Sequence, residues 1–177
     1  AIATRDRHLD FMLGVMEYSP TRMFGMEDLE LLDRIESEHD NLRAALEWAT
    51  ENHPATALKL AYSAGGFWTI RDYNAEAQFW CITILRKTEA MSELEEDRGR
   101  LYGLLGWLMM TLGEHKKGRA ASEQAITLAE KSNDFYTMSR AYATAGLASC
   151  FLGDFPAAFP AIEKAESIAR EHDLAAE

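Results

Sequence analysis

Five histidines, two cysteines and a scatter of acids are the residues of this chain that could do chemistry. The densest grouping is Glu36, Glu38, His39 and Asp40. It would suit a divalent cation only if two of them faced the same way. On a helix the neighbours of His39 along one face are Ile35 and Arg43, so no second ligand comes to its side. Helix chemistry is the better reading. Ser37 or Asp40 is expected to cap the next helix, and early acids favour its positive end. Asn41 is expected to bond a neighbouring backbone group across that junction. His8, His53, His115 and His172 fall near predicted helix ends or on polar faces. No Ser or Cys stands in a nucleophile pattern with His and an acid, and Gly-x-Ser-x-Gly is absent. No Gly-x-x-x-x-Gly-Lys-Ser/Thr loop offers a phosphate cradle. The expectation is a protein that is not an enzyme and that takes no metal and no cofactor.

The elements that must position any site are helices. Leu9, Met12, Leu13 and Met16 recur at helical spacing, as do Leu42, Ala45, Leu46 and Ala49, and Leu101, Leu104, Leu105, Leu108 and Leu112. No stretch alternates apolar and polar residues for long, and no Asn-Gly or Asp-Gly turn joins β-branched runs. The punctuation is Ser19-Pro20, Asn52-His53-Pro54, Arg71 to Asn74, Gly113, Ser132-Asn133-Asp134 and Gly153. It predicts helices over 4–18, 27–37, 38–52, 55–70, 74–88, 93–112, 115–131, 135–152 and 155–172. Pro160 should remove a hydrogen bond from the last of these and kink it.

Charge narrows the partners. Eighteen basic against 29 acidic residues leave a net −11, which repels phosphate backbones. The chain is therefore expected not to bind nucleic acid directly. No apolar run is long enough to span a bilayer, Ala1 to Arg7 reads as no signal peptide, and the distant Cys81 and Cys150 form no disulfide framework. A cytoplasmic protein is expected. A start without Met and a stop after Ala175-Ala176-Glu177 suggest a piece of something larger.

The sequence also repeats. Tyr102, Gly106 and Gly113 are matched 40 residues later by Tyr142, Gly146 and Gly153, and Ala125 by Ala165. A weaker copy has Gly65, Trp68 and Ala77. Small residues that let helix A approach helix B, with an aromatic beside them, resemble the tetratricopeptide (TPR) helix–turn–helix. The period is longer than the TPR's 34, and Gly118 stands where an Ala belongs. The fold class expected is all-α, a TPR-like α–α superhelix, with residues 1–53 as a helical lead-in and 54–177 as about three helix pairs continuous with it. In such arrays fixed positions of helix A line a groove. Six residues before each glycine stand Lys59, Arg100 and Arg140. With Tyr62, Trp107, Met110, Leu147 and Phe151 they form the candidate partner-binding groove, suited to an acidic or carboxylate-ended peptide. Ile162, Ala165, Ile168 and Ala169 on the last helix suggest a homodimer through residues 155–177.

The block Glu38-His39-Asp40-Asn41-Leu42-Arg43-Ala44-Ala45-Leu46-Glu47-Trp48-Ala49 resembles one that follows the nucleotide-binding and winged-helix parts of bacterial STAND-type ATPase regulators, the LuxR/MalT-like and AfsR-like proteins. His8, Leu32 to Glu36, Phe67 to Arg71, Glu76, Ala77 and Trp80 extend the resemblance, although those families usually carry Gly at the places of Asp72 and Ala77. The resemblance implies a non-catalytic, TPR-like sensor or regulatory region of a signal-responsive transcriptional regulator. Its partners would be proteins, including other domains of the same chain. The alternative is a stand-alone TPR scaffold that binds a peptide.

Overall fold

The structure, a computed structural model, describes residues 2–18 and 29–174. The expected stop at Ser19-Pro20, the first two residues of the helix predicted from 27, and 175–177 of the expected dimer surface lie outside the described residues.

Among the described residues there are nine α-helices and no strand. They are α1 (Ile2–Tyr18), α2 (Leu29–Ser37), α3 (His39–Asn52), α4 (Pro54–Ile70), α5 (Asn74–Lys87), α6 (Glu95–Thr111), α7 (His115–Ser132), α8 (Phe135–Phe151) and α9 (Phe155–Glu171). The helix predicted from 93 begins instead with a separate 3₁₀ turn, Ser92–Leu94. Pro54 opens α4, where its missing N–H is no loss. Helix α9 runs on through Pro160 to Glu171, and Pro160 forfeits one backbone bond within it. No described helix is long and apolar enough to cross a membrane.

The backbone repeats more plainly than the side chains do. Between helices A and B a left-handed residue recurs at Asp72, Gly113 and Gly153, with φ of 61°, 77° and 74°. After helices α7 and α9 it recurs at Asn133 and Asp173, φ 56° and 49°. Each A–B turn closes on the same long bond: Tyr73 N to Trp68 O at 2.8 Å, Glu114 N to Met109 O at 2.8 Å, Asp154 N to Ser149 O at 2.9 Å. The helix pairs are thus α4–α5, α6–α7 and α8–α9, repeating every 40 or 41 residues.

Close approach within a pair rests on small residues. A Cβ added at Gly146 would lie 3.1 Å from the Ala158 carbonyl oxygen of α9 and 2.7 Å from Ile162. In the preceding pair Gly106 faces Gly118 in the same way. Successive A helices pack on one another, α4 on α6 and α6 on α8. The core runs unbroken from Leu9, Met12 and Met16 of α1, through Leu42 and Leu46 of α3 and Trp68 of α4, to Leu101 and Leu108 of α6.

The B helices are stitched at their ends. Arg43 of α3 donates to Glu76 in the first turn of α5 at 2.6 Å. Gln78 of α5 donates to Glu114, which precedes α7, at 2.7 Å. Arg119 of α7 donates to Asp154, the N-cap of α9, at 2.9 Å. In each case a donor on α3 or on a B helix meets an acid at the positive end of the next B helix, where a carboxylate is favoured.

The last helix departs from expectation. Ala165 and Ile168 are buried, and Ile162 packs toward Gly146 of α8. These residues fill the final helix pair rather than an outer face. The exposed apolar residues at this end are Phe151, Phe155 and Phe159.

A candidate ligand cleft on the A-helix face

Three successive A helices present side chains to one cleft of about 60 Å³. Helix α4 supplies Tyr62, Gly65 and Gly66; α6 supplies Arg100, Gly103, Leu104 and Trp107; α8 supplies Tyr136, Thr137, Arg140 and Thr144. Of the groove residues read from the sequence, Tyr62, Arg100, Trp107 and Arg140 are brought together here. Lys59 shares an adjoining depression with Tyr62 and Arg100 and is exposed there. The three cations therefore follow one continuous face.

Met110 does not belong to it. It is 7% exposed, and its backbone lies against Gly118 of α7, so it builds the α6–α7 contact. Leu147 and Phe151 are exposed but do not line the cleft, and Phe151 stacks on His115 at 4.5 Å. The basic ladder is also less basic than its slots imply. Arg100 pairs with Glu96 at 2.6 Å and Asp134 at 2.8 Å. Arg140 is engaged too, its Nη1 3.4 Å from the Tyr136 hydroxyl and its guanidinium 5.6 Å from the Tyr136 ring centre.

Asp134, read from the sequence only as punctuation between helices, organises one side of the cleft. It caps α8 by accepting from the Thr137 amide at 3.0 Å, takes the Thr137 hydroxyl at 3.0 Å and holds Arg100. Burial pushes its carboxyl up, but the Thr137 amide, Arg100 and the Thr137 hydroxyl outweigh that and leave it below its ordinary value. Burial also raises the Tyr62 hydroxyl, with Tyr136 and Asp134 adding to it and Arg140 and Arg100 opposing. Asp134→Ala is expected to cost about 1–2 kcal/mol through the lost cap. That lowers the thermal midpoint by a few degrees, read by circular dichroism. An unchanged midpoint would remove Asp134 from this role.

A second polar cluster ties the front of the chain to the first pair. His39, 6% exposed, sits 3.1 Å from Glu76 and packs on the rings of Tyr73 and Phe67 at 4.3 and 5.2 Å. Arg43 grips both oxygens of Glu76, at 2.9 and 2.6 Å. Tyr73 donates to Glu36 at 2.9 Å, and Arg71 pairs with Asp33 and Glu36. No group of three metal-ligating side chains forms among the described residues. The expected caps differ: Glu38 precedes α3 without capping its amides, Ser37 donates to the Arg34 carbonyl, and Asn41 donates to the Glu38 carboxylate at 2.6 Å.

No family model matches the chain. Over 150 residues, 81% of its length, it is 31% identical to proteins of Mycobacterium tuberculosis and Mycobacterium bovis provisionally named HTH-type transcriptional regulators. The chain spans 17% of the length of those relatives. It is similar to one segment of much longer regulators. Among solved structures, BtubC (BKLC) from P. vanneervenii matches 97% of this chain and 91% of its own, at a TM-score of 0.43 and 13% identity. That level of likeness lies below what assigning a shared fold requires.

Proposed function

We infer that this chain is a regulatory and sensor segment of a longer transcriptional regulator, built as a TPR-like array that works by binding and not by catalysis. The observation that carries this reading is the 31% identity over 150 residues to one segment of proteins named as transcriptional regulators. The 40-residue repeat supplies a quasi-linear scaffold, the kind of element that presents surfaces to partners. The cleft gathers rings and donors, and its hydroxyl beside a carboxylate, Thr137 on Asp134, belongs to the cap of α8. The −11 charge disfavours direct contact with DNA, so an attached domain reads the sequence. The partner surfaces are protein surfaces, in the first place other parts of the same polypeptide. The exposed stacked pair Phe155 and Phe159, ring centres 6.2 Å apart, suits such a contact.

Deleting the matched segment from the full-length mycobacterial relative tests this. DNA binding should persist in a mobility-shift assay, while control of the target promoter by its signal is lost. Normal signal-dependent transcription from the deleted protein would refute the sensor role.

A further inference from the structure

Among the described residues that line the cleft between α4, α6 and α8 are two arginines, of which Arg100 is already held by Glu96 and Asp134, and no acid. Its walls are rings: Tyr62, Trp107 and Tyr136. Tyr136 is 40% exposed, and Arg140 lies over its ring, so a flat platform stands at the mouth. Beneath the wall, Nε1 of Trp107 is buried with no hydrogen-bond partner among the described residues. An indole N–H can only donate, so whatever satisfies it must bring an acceptor.

Gly66 adds an independent sign. A glycine inside a helix costs about 1 kcal/mol against alanine. Gly106 and Gly118 offset that by letting two helices touch, but a Cβ built on Gly66 meets nothing within 4 Å. Packing does not require a glycine there. Gly66 lines the cleft, and its missing side chain leaves that part of the wall open.

The geometry points to a binding site for a small, flat organic acid: a planar, largely apolar body carrying one carboxylate or carbonyl. The space, about 60 Å³, is smaller than the roughly 150 Å³ cavity that encloses a benzene ring. The polar head therefore enters the cleft and the flat body rests on Tyr136 at its mouth. Entry tilts the Trp107 ring so that its N–H reaches the acceptor, and the Arg140 guanidinium fixes the charge. Because the lining comes from three successive A helices, the bound acid fastens three helix pairs together. This rests on the sensor reading only for its consequence in regulation, not for binding itself.

The test is a titration of the ¹⁵N-labelled chain with benzoate, benzamide and benzylamine, following the indole N–H signals. The Trp107 signal is assigned by its loss in Trp107→Phe. Benzoate should shift that signal saturably, benzamide more weakly and benzylamine not at all. Gly66→Leu should fill the space without loss of stability and weaken benzoate by about tenfold or more. Tyr136→Ala, at an exposed position, should weaken it too and guards against a folding defect in the first variant. No saturable shift at millimolar benzoate overturns the proposal. So does an undiminished benzoate response in both variants, or a response to benzylamine equal to that to benzoate. A negative titration leaves the segment-deletion result untouched, so the two readings fail separately.

Discussion

Gly118→Leu is expected to destabilise the chain by about 3 kcal/mol or more, because it forces apart two helices that touch by their backbones. A Cβ at this position would lie 3.0 Å from the Gly106 carbonyl oxygen, 3.1 Å from the Met110 nitrogen and 3.5 Å from the Met110 Cα. All three are backbone atoms of α6, so no side chain can rotate away. Leucine adds three further carbons along the same line. The intrinsic effect runs the other way, since leucine favours a helix over glycine by nearly 1 kcal/mol. The sign of the change therefore reports contact rather than propensity. In the next pair Ala158 stands at the equivalent place, so Gly118→Ala should be much milder. Gly66→Ala, with open space around it, should stabilise by up to about 1 kcal/mol. Urea midpoints measure all three. If Gly118→Leu unfolds at the same urea concentration as the parent, α6 and α7 do not approach as described.

The helices were legible because their buried residues recur at 3.6-residue spacing and because Gly, Pro and Asn-Asp punctuation sits between them. The repeat was legible through Gly106 and Gly146, but its clearest marks are left-handed residues, and Asp72, Asn133 and Asp173 fill such places without being glycine. Counting glycines could not find them. Lys59, Arg100 and Arg140 shared a face because equal slots on equal helices point the same way. Met110 failed because a helix three residues on from Trp107 already turns toward its partner, and only the Gly118 contact reveals that side. Of the acids that hold Arg100, Glu96 lies one turn away on α6, but Asp134 is 34 residues away in sequence, beyond any local rule. Tyr136 was missed as a platform because its role depends on Arg140 lying over the ring. His39 was weighed only against residues of its own helix, whereas Glu76, its partner, comes from α5.

Glu76→Ala is expected to cost about 2 kcal/mol, by leaving a buried imidazole and a guanidinium without their acceptor. His39 is 6% exposed, has Glu76 3.1 Å from Nε2 and is packed against the rings of Tyr73 and Phe67. Arg43 keeps Asp40 at 2.8 Å and its side chain is 44% exposed, so its share of the loss is small. The effect should carry a pH signature. Burial raises the Glu76 carboxyl, but the bonds from Arg43 and the charge of His39 and Arg43 outweigh it and hold it below its ordinary 4.5. A carboxyl depressed in the folded state binds its proton more weakly there than in the unfolded chain. Its stabilisation is then fully present above 4.5 and is lost as pH falls through the lower folded value. Glu76→Gln keeps the shape and removes the charge. The stability gap between parent and Glu76→Gln should be widest near neutral pH and narrow steadily below about 4.5. Urea unfolding of both proteins at pH 7 and in mild acid measures that gap. A gap that stays constant across the range would mean that Glu76 is not held as a carboxylate by Arg43 and His39, and that the front of the chain is joined to the first helix pair by apolar packing alone.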